Sequence, residues 1–248
     1  VSRYCRILPL QSKGADNPYQ PSSQLDFLLN LEQDREILYN SFQLGFQLLV
    51  NGAPLGANAK IYLNQYAGYH SIIDSIQTLV DDGQGEKEVE TILAYPRFVA
   101  SQNYVNNTDV NVQYDLSKNS SGLVANNILG QRELLGSFFP PETAALGYKN
   151  GSVACDLKLN FCLNKSYDAH MIPSNIGGKK NIRIIIRLNP ASRVFWGDDV
   201  TNTTTYSLNN VILQWVEQPK SHSENVMLQT VQQVKVPVPS STASLSVK

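Results

Sequence analysis

Between Cys155 and Gln218 the apolar residues fall on every second position in three separate runs, and that spacing constrains the fold more than anything else in the chain. In the first run Leu157, Leu159, Phe161 and Leu163 alternate with Asp156, Lys158, Asn160 and Asn164. In the second, Ile182, Ile184, Ile186 and Leu188 share one face and Arg183 and Arg187 the other. In the third, Leu208, Val211, Leu213 and Trp215 alternate with Asn210 and Gln214 over most of their length. A period of two means strands with one face in a core and one toward solvent, the pattern of antiparallel sheets. Long strands joined by irregular loops point to a β-sandwich and away from α/β enzymes.

Earlier segments extend the pattern. Leu25, Phe27, Leu29 and Leu31 form one alternating run, and Phe42, Leu44, Phe46 and Leu48 a second that closes at Asn51-Gly52. Tyr66 to Val80 fits a helix through Tyr69, Ile72, Ile73 and Ile76, and a strand through Ile72, Ile76, Thr78 and Val80. Asp82-Gly83-Gln84-Gly85 is a turn on either reading. Val89 to Tyr104 starts extended and turns helical after Pro96, because proline suits a first helical turn. Residues 106–125 are polar and loop-like, and 126–135 fit a short capped helix.

These runs give an all-β expectation: a β-sandwich of antiparallel sheets, with short helices in its loops and extended arms at both ends. The domain is expected over residues 25–218. An arm over 1–24 carries Pro9, Pro18 and Pro21, and a tail or linker over 219–248 has Pro237 and Pro239 breaking the alternation of Val234, Val236 and Val238. That tail is expected to be dispensable for folding and needed for assembly.

Composition narrows the function. With 42% hydrophobic residues the chain can fill a core, while its 17% of charged residues is low and uncharged polar residues take their place. Net charge is −1, which gives no general attraction to nucleic acid or membrane. Three cysteines, Cys5, Cys155 and Cys162, do not make a disulfide framework and read as small buried thiols. No run is long and apolar enough for a transmembrane segment, and no signal peptide is visible. N-x-S/T triplets at Asn106, Asn119, Asn150, Asn164 and Asn202 are of the kind that such a composition produces by chance.

No catalytic motif stands out. His70, His170 and His222 are isolated, so the close His-x-His pair of a jelly-roll metalloenzyme is missing. Asp26, Glu32, Asp74 and Glu90 are loose carboxylates whose simplest role is an outward strand face, although glycoside hydrolysis uses such pairs. Asp81 to Glu86 has the oxygen ligands and glycines of a calcium loop without EF-hand spacing. The expectation is a protein that is no enzyme and needs no cofactor.

Taken in order, the segments resemble the jelly-roll capsid proteins of the adenovirus, virophage and polinton lineage. The resemblance lies in Gly68-Tyr69-His70-Ser71-Ile72-Ile73-Asp74 with Gly83 to Gly85, Val89-Glu90-Thr91-Ile92 and Tyr95; in Leu157-x-Leu159 through Met171-Ile172-Pro173, Gly177-Gly178 and Ile182 to Leu188; and in Tyr206-Ser207-Leu208-Asn209-Asn210-Val211-x-Leu213. It implies two four-stranded sheets and a structural subunit that self-assembles into an icosahedral shell. The partners it implies are copies of the chain in a trimeric or pentameric capsomer and neighbouring capsid proteins, in a virion assembled inside the host cell. Major capsid proteins of this lineage carry two rolls in tandem; this sequence shows the pattern of one, as a single-roll subunit or the first half of a double-roll protein. Contacts between subunits are expected at Ile7, Leu8, Phe195, Trp196, Val234, Val236 and Val238. The alternatives are a carbohydrate-binding jelly roll, lectin-like or a viral attachment head, supported by twelve tyrosines and the Asp81 to Glu86 turn, and a β-sandwich hydrolase.

Overall fold

The computed structural model describes residues 1–11, 17–30, 35–38, 40–51, 62–63, 67–81, 84–106, 152–164, 172–173, 181–197, 200–219 and 230–231. Leu31, the stretch 107–151, Gly177-Gly178, and Val234 to Val238 lie outside these residues.

The second alternating run is strand β10 (Asn181–Leu188), and it sits inside a four-stranded antiparallel sheet. Its partners are β2 (Gln24–Asn30) and β6 (Ile73–Asp81), and β6 pairs in turn with β7 (Glu86–Ile92), giving the order β2-β10-β6-β7. Ile184 stands opposite Phe27 on one side and Thr78 on the other, so the buried faces of three strands coincide. The ambiguous segment therefore resolves in two parts. Gly68–Ile72 is a 3₁₀ turn, and the strand reading holds from Ile73 onward. Helix α1 (Tyr95–Asn106) follows β7 and begins one residue before Pro96.

The third run is β12 (Thr205–Pro219), the central strand of the facing sheet. On one side it pairs with β4 (Gln43–Asn51) and then β3 (Arg35–Ile37); on the other it pairs with β1 (Arg3–Ile7). Strand β8 (Ser152–Lys158) borders β4, and β9 (Ile172–Pro173) borders β3. Two-residue strands β5 (Tyr62–Leu63) and β11 (Phe195–Trp196) pair separately.

The eight long strands thus lie as β1-β12-β4-β8 facing β2-β10-β6-β7, which is the jelly roll expected from the sequence. The core between the sheets holds Leu25, Phe27, Leu44, Leu48, Ile184, Ile186, Tyr206 and Leu213, all essentially without solvent contact. Burying each such side chain contributes about 1.5–3 kcal/mol.

A bulge explains the one break in the third run. The pairing of β12 with β4 shifts between Asn209 and Ile212, with Asn210 at φ 51° in the left-handed region that asparagine tolerates. The extra residue moves the inward parity from Leu208 to Val211, Leu213 and Trp215. Gly45 lies opposite Ile212, where a β-carbon would come within 2.9 Å of Ile212 Cγ1 and Asp156 Oδ1. Gly45→Val should therefore cost about 1–3 kcal/mol by overpacking, read as a lower denaturant midpoint with unchanged slope.

Two expectations need correction. The first run was expected to stay extended through Leu163, but β8 ends at Lys158 and Cys162–Asn164 form a 3₁₀ turn. That turn buries Cys162 beside Phe161 and Leu163, which a strand of strict period two does not allow. The segment over 1–24 was read as an arm, yet it supplies β1 and also Tyr19, whose backbone N–H and C=O both bond to Leu208. An arm that lines the central strand of a sheet is part of the fold.

Candidate assembly surfaces

The side chains with possible chemistry are committed to structure. His70, in the 3₁₀ turn under α1, is buried with its ring 5.6 Å from that of Tyr95. Burial holds its imidazole neutral down to about pH 3. Asp26 is buried on β2 and ion-paired with Arg183, whose Nη1 also lies 3.0 Å from Glu86. Those two carboxylates raise the guanidinium further above its ordinary range, and one arginine ties β2, β10 and β7 together. Glu90 accepts backbone N–H groups from Cys162 and Val231. Burial pushes all three thiols up, Cys155 to about 12, so none has the thiolate character of a nucleophile. Among the described residues, no group of three or more His, Cys, Asp or Glu side chains is placed to hold a metal ion, and no helix is long and apolar enough to cross a membrane. His170, His222, Glu32 and Asp82-Gly83 lie outside the described residues.

Among the described residues, the outer faces of the two sheets differ. Outward positions on the β2-β10-β6-β7 sheet include Asp26, Arg183, Arg187, Glu86 and Glu88, a charged face. Outward positions on the β12 sheet include Gln43, Gln47, Leu49, Asn51, Ser207, Asn209, Ile212, Gln214 and Val216. This second face is neutral through its centre, with Gln214 Nε2 donating to Gln43 Oε1 and Asp156 Oδ1 at 3.1 Å. Neutral amides lose much less than ions when they are taken out of water, so this face is the cheaper one to cover.

The residues expected at subunit contacts fare differently. Leu8 is 57% exposed and Trp196 47% exposed, although the Trp196 indole N–H donates to Leu63 O. Ile7 is half-buried against the core. Phe195 is turned inward at 6% exposure, edge-on to Tyr206 at 6.0 Å. Val234, Val236 and Val238 lie outside the described residues. Tyr4, 88% exposed on β1, and Leu10 are further exposed apolar residues that the sequence reading did not name as contacts. The run Val1 to Leu10 shows no clean alternation that would have marked an outward tyrosine on an edge strand.

No protein-family model and no curated protein matches the sequence. Solved structures do. PBCV-1 VP54, fitted into a cryo-EM reconstruction of the virophage Sputnik, aligns with a TM-score of 0.50 at 9% identity, over 87% of this chain and 42% of that one. A quasi-atomic model of the PBCV-1 virus capsid aligns at 0.48 with 10% identity, over 87% and 42% of the two chains. The Faustovirus major capsid protein aligns at 0.48 with 10% identity, over 89% and 55%. The likeness to VP54 is one of fold, and this chain spans less than half of the VP54 chain.

Proposed function

We propose that this chain is a structural capsid protein, a jelly-roll subunit that assembles with copies of itself into the capsomers of an icosahedral shell. The observation that carries the reading is the strand order β1-β12-β4-β8 over β2-β10-β6-β7, shared in fold with PBCV-1 VP54, together with a neutral outer face on the β12 sheet. The chain is read as having no enzymatic role and no cofactor. Its organisation is one roll, with β1 at its start and the region past Pro219 as tail or linker. It serves either as a single-roll subunit or as the first half of a double-roll protein. Its place is the virion, reached by assembly inside the host cell.

Leu8, Trp196 and Tyr4 are the exposed apolar residues that such contacts would cover, and closed symmetric assembly needs directional contacts of this kind. Native mass spectrometry with negative-stain imaging tests the reading. Trimers, pentamers or closed shells are the expected result, and Tyr4→Asp with Leu8→Asp should shift the population toward monomer by about tenfold or more. A strict monomer at high concentration, with a glycan-array hit, would transfer the assignment to a carbohydrate-binding module.

A further inference from the structure

Glu90 is an unusual residue for the edge strand of a sheet. It is 3% exposed, and among the described residues no cation pairs with it. Glutamate is rarely this buried unless its charge is met. Here it is met by two backbone N–H groups, each 2.7 Å from a different carboxylate oxygen. Cys162 N–H reaches Oε2 from the turn after β8, at the edge of the β12 sheet. Val231 N–H reaches Oε1 from the far side of Pro219. Val231 is itself half-buried against the core.

We propose that Glu90 is an anchor that ties Val231, beyond the end of β12, to the edge of the opposite sheet. The chain leaves the β12 sheet at Pro219 and by Val231 is bonded to β7, the edge strand of the opposite sheet. One carboxylate therefore joins both sheet edges and Val231. The Cys162 side chain also bonds to Glu90, but each of the two backbone N–H groups serves a different carboxylate oxygen, and a buried oxygen that loses its main donor stays desolvated. Val231 is on this account held to the roll, and cutting the chain at Pro219 lowers its stability. The inference stands independently of the capsid reading.

Hydrogen exchange on the full chain tests it. In the wild-type protein the Val231 amide should exchange at least about tenfold more slowly than in a free chain. In Glu90→Ala that protection should disappear, while the Ile184 and Leu213 amides stay protected. Should Glu90→Ala fail to fold, Val231→Pro removes the donor alone and leaves Glu90 in place. It should lower the thermal midpoint and speed exchange of the Thr230 amide about tenfold or more. An unprotected Val231 amide in the wild type, or protection unchanged by Glu90→Ala, overturns the proposal. So does a Val231→Pro protein with the wild-type midpoint and Thr230 exchange rate.

Discussion

Asn164→Ala should lower the stability of the roll by about 3 kcal/mol, the sum expected when more than one buried backbone group loses its partner. The side chain of Asn164 stands in for a missing strand. Its Oδ1 accepts the Phe42 N–H at 2.9 Å, and its Nδ2 donates to Phe42 O at 2.9 Å and to Leu159 O. Phe42 is fully buried at the entrance to β4, edge-on to Phe161 and stacked on Trp215. Phe42 O keeps a second donor in Leu159 N–H, so truncation orphans chiefly the Phe42 N–H and the Leu159 C=O. Water does not reach either group through a shell of aromatic rings. For a domain of this size the loss should read as a fall of about 6–12 °C in thermal midpoint. Asn164→Asp keeps the acceptor and loses the donor, so it should fall at least as far once its buried charge is counted. A midpoint within 2 °C of wild type, roughly the effect of a neutral surface change, would mean the amide is not holding the turn. The same geometry closes the N-x-S triplet at Asn164 to glycosylation in the folded chain, since its amide nitrogen already makes two bonds.

Asn164 also marks the boundary of what the sequence could disclose. Alternation identified β10, β2 and β4 because each has one wall of aliphatic residues and one of polar ones. It failed where polar residues are buried by bonds to distant segments. Asn164 reads as an outward strand position until Phe42 is seen beside it, and Glu90 as an outward carboxylate until Cys162 and Val231 are. Glu217 falls on the inward parity of Trp215, where a carboxylate is not expected, and is buried by accepting the Trp215 indole N–H and pairing with Arg3. Strand β3 is three residues long with Glu36 buried, too short to show any period. It continues the line of β4 along β12, interrupted where the Ser41 hydroxyl accepts the Val216 N–H. Strand β1 was hidden because its exposed Tyr4 and its half-buried Cys5 and Ile7 invert the usual polar-out pattern. The contact positions named from the sequence differ in exposure. Leu8 and Trp196 are exposed, whereas Phe195 follows the parity of the short β11 strand into the core.

The fold should lose stability as pH falls from about 6.5 toward 3, and part of that loss should vanish in His70→Phe. Burial lowers the folded-state value of His70 from 6.5 to about 3. In the unfolded chain the imidazole takes a proton below its ordinary value, while in the folded chain it stays neutral. The unfolded state therefore binds more protons, and stability falls with falling pH. The contribution is complete above 6.5 and is lost progressively as pH drops toward about 3. By pH 5 this one group should cost about 2 kcal/mol, or about 4–8 °C in midpoint. The replacement is a fair one because His70 Nδ1 has no hydrogen-bond partner and its ring packs beside Tyr95, so an apolar ring of similar shape leaves no new orphan at that nitrogen. Tyr95 does not titrate in this window, since burial raises its phenol well above the ordinary value. Carboxylates titrate in both proteins and cancel in the difference. The measurement is the midpoint difference between wild type and His70→Phe at pH 7.5 and at pH 5. A difference that stays constant across that interval would mean that the folded protein protonates His70 as readily as the unfolded chain does. A difference that grows in favour of the phenylalanine variant is the expected outcome, and it would make His70 a source of the acid sensitivity of the roll.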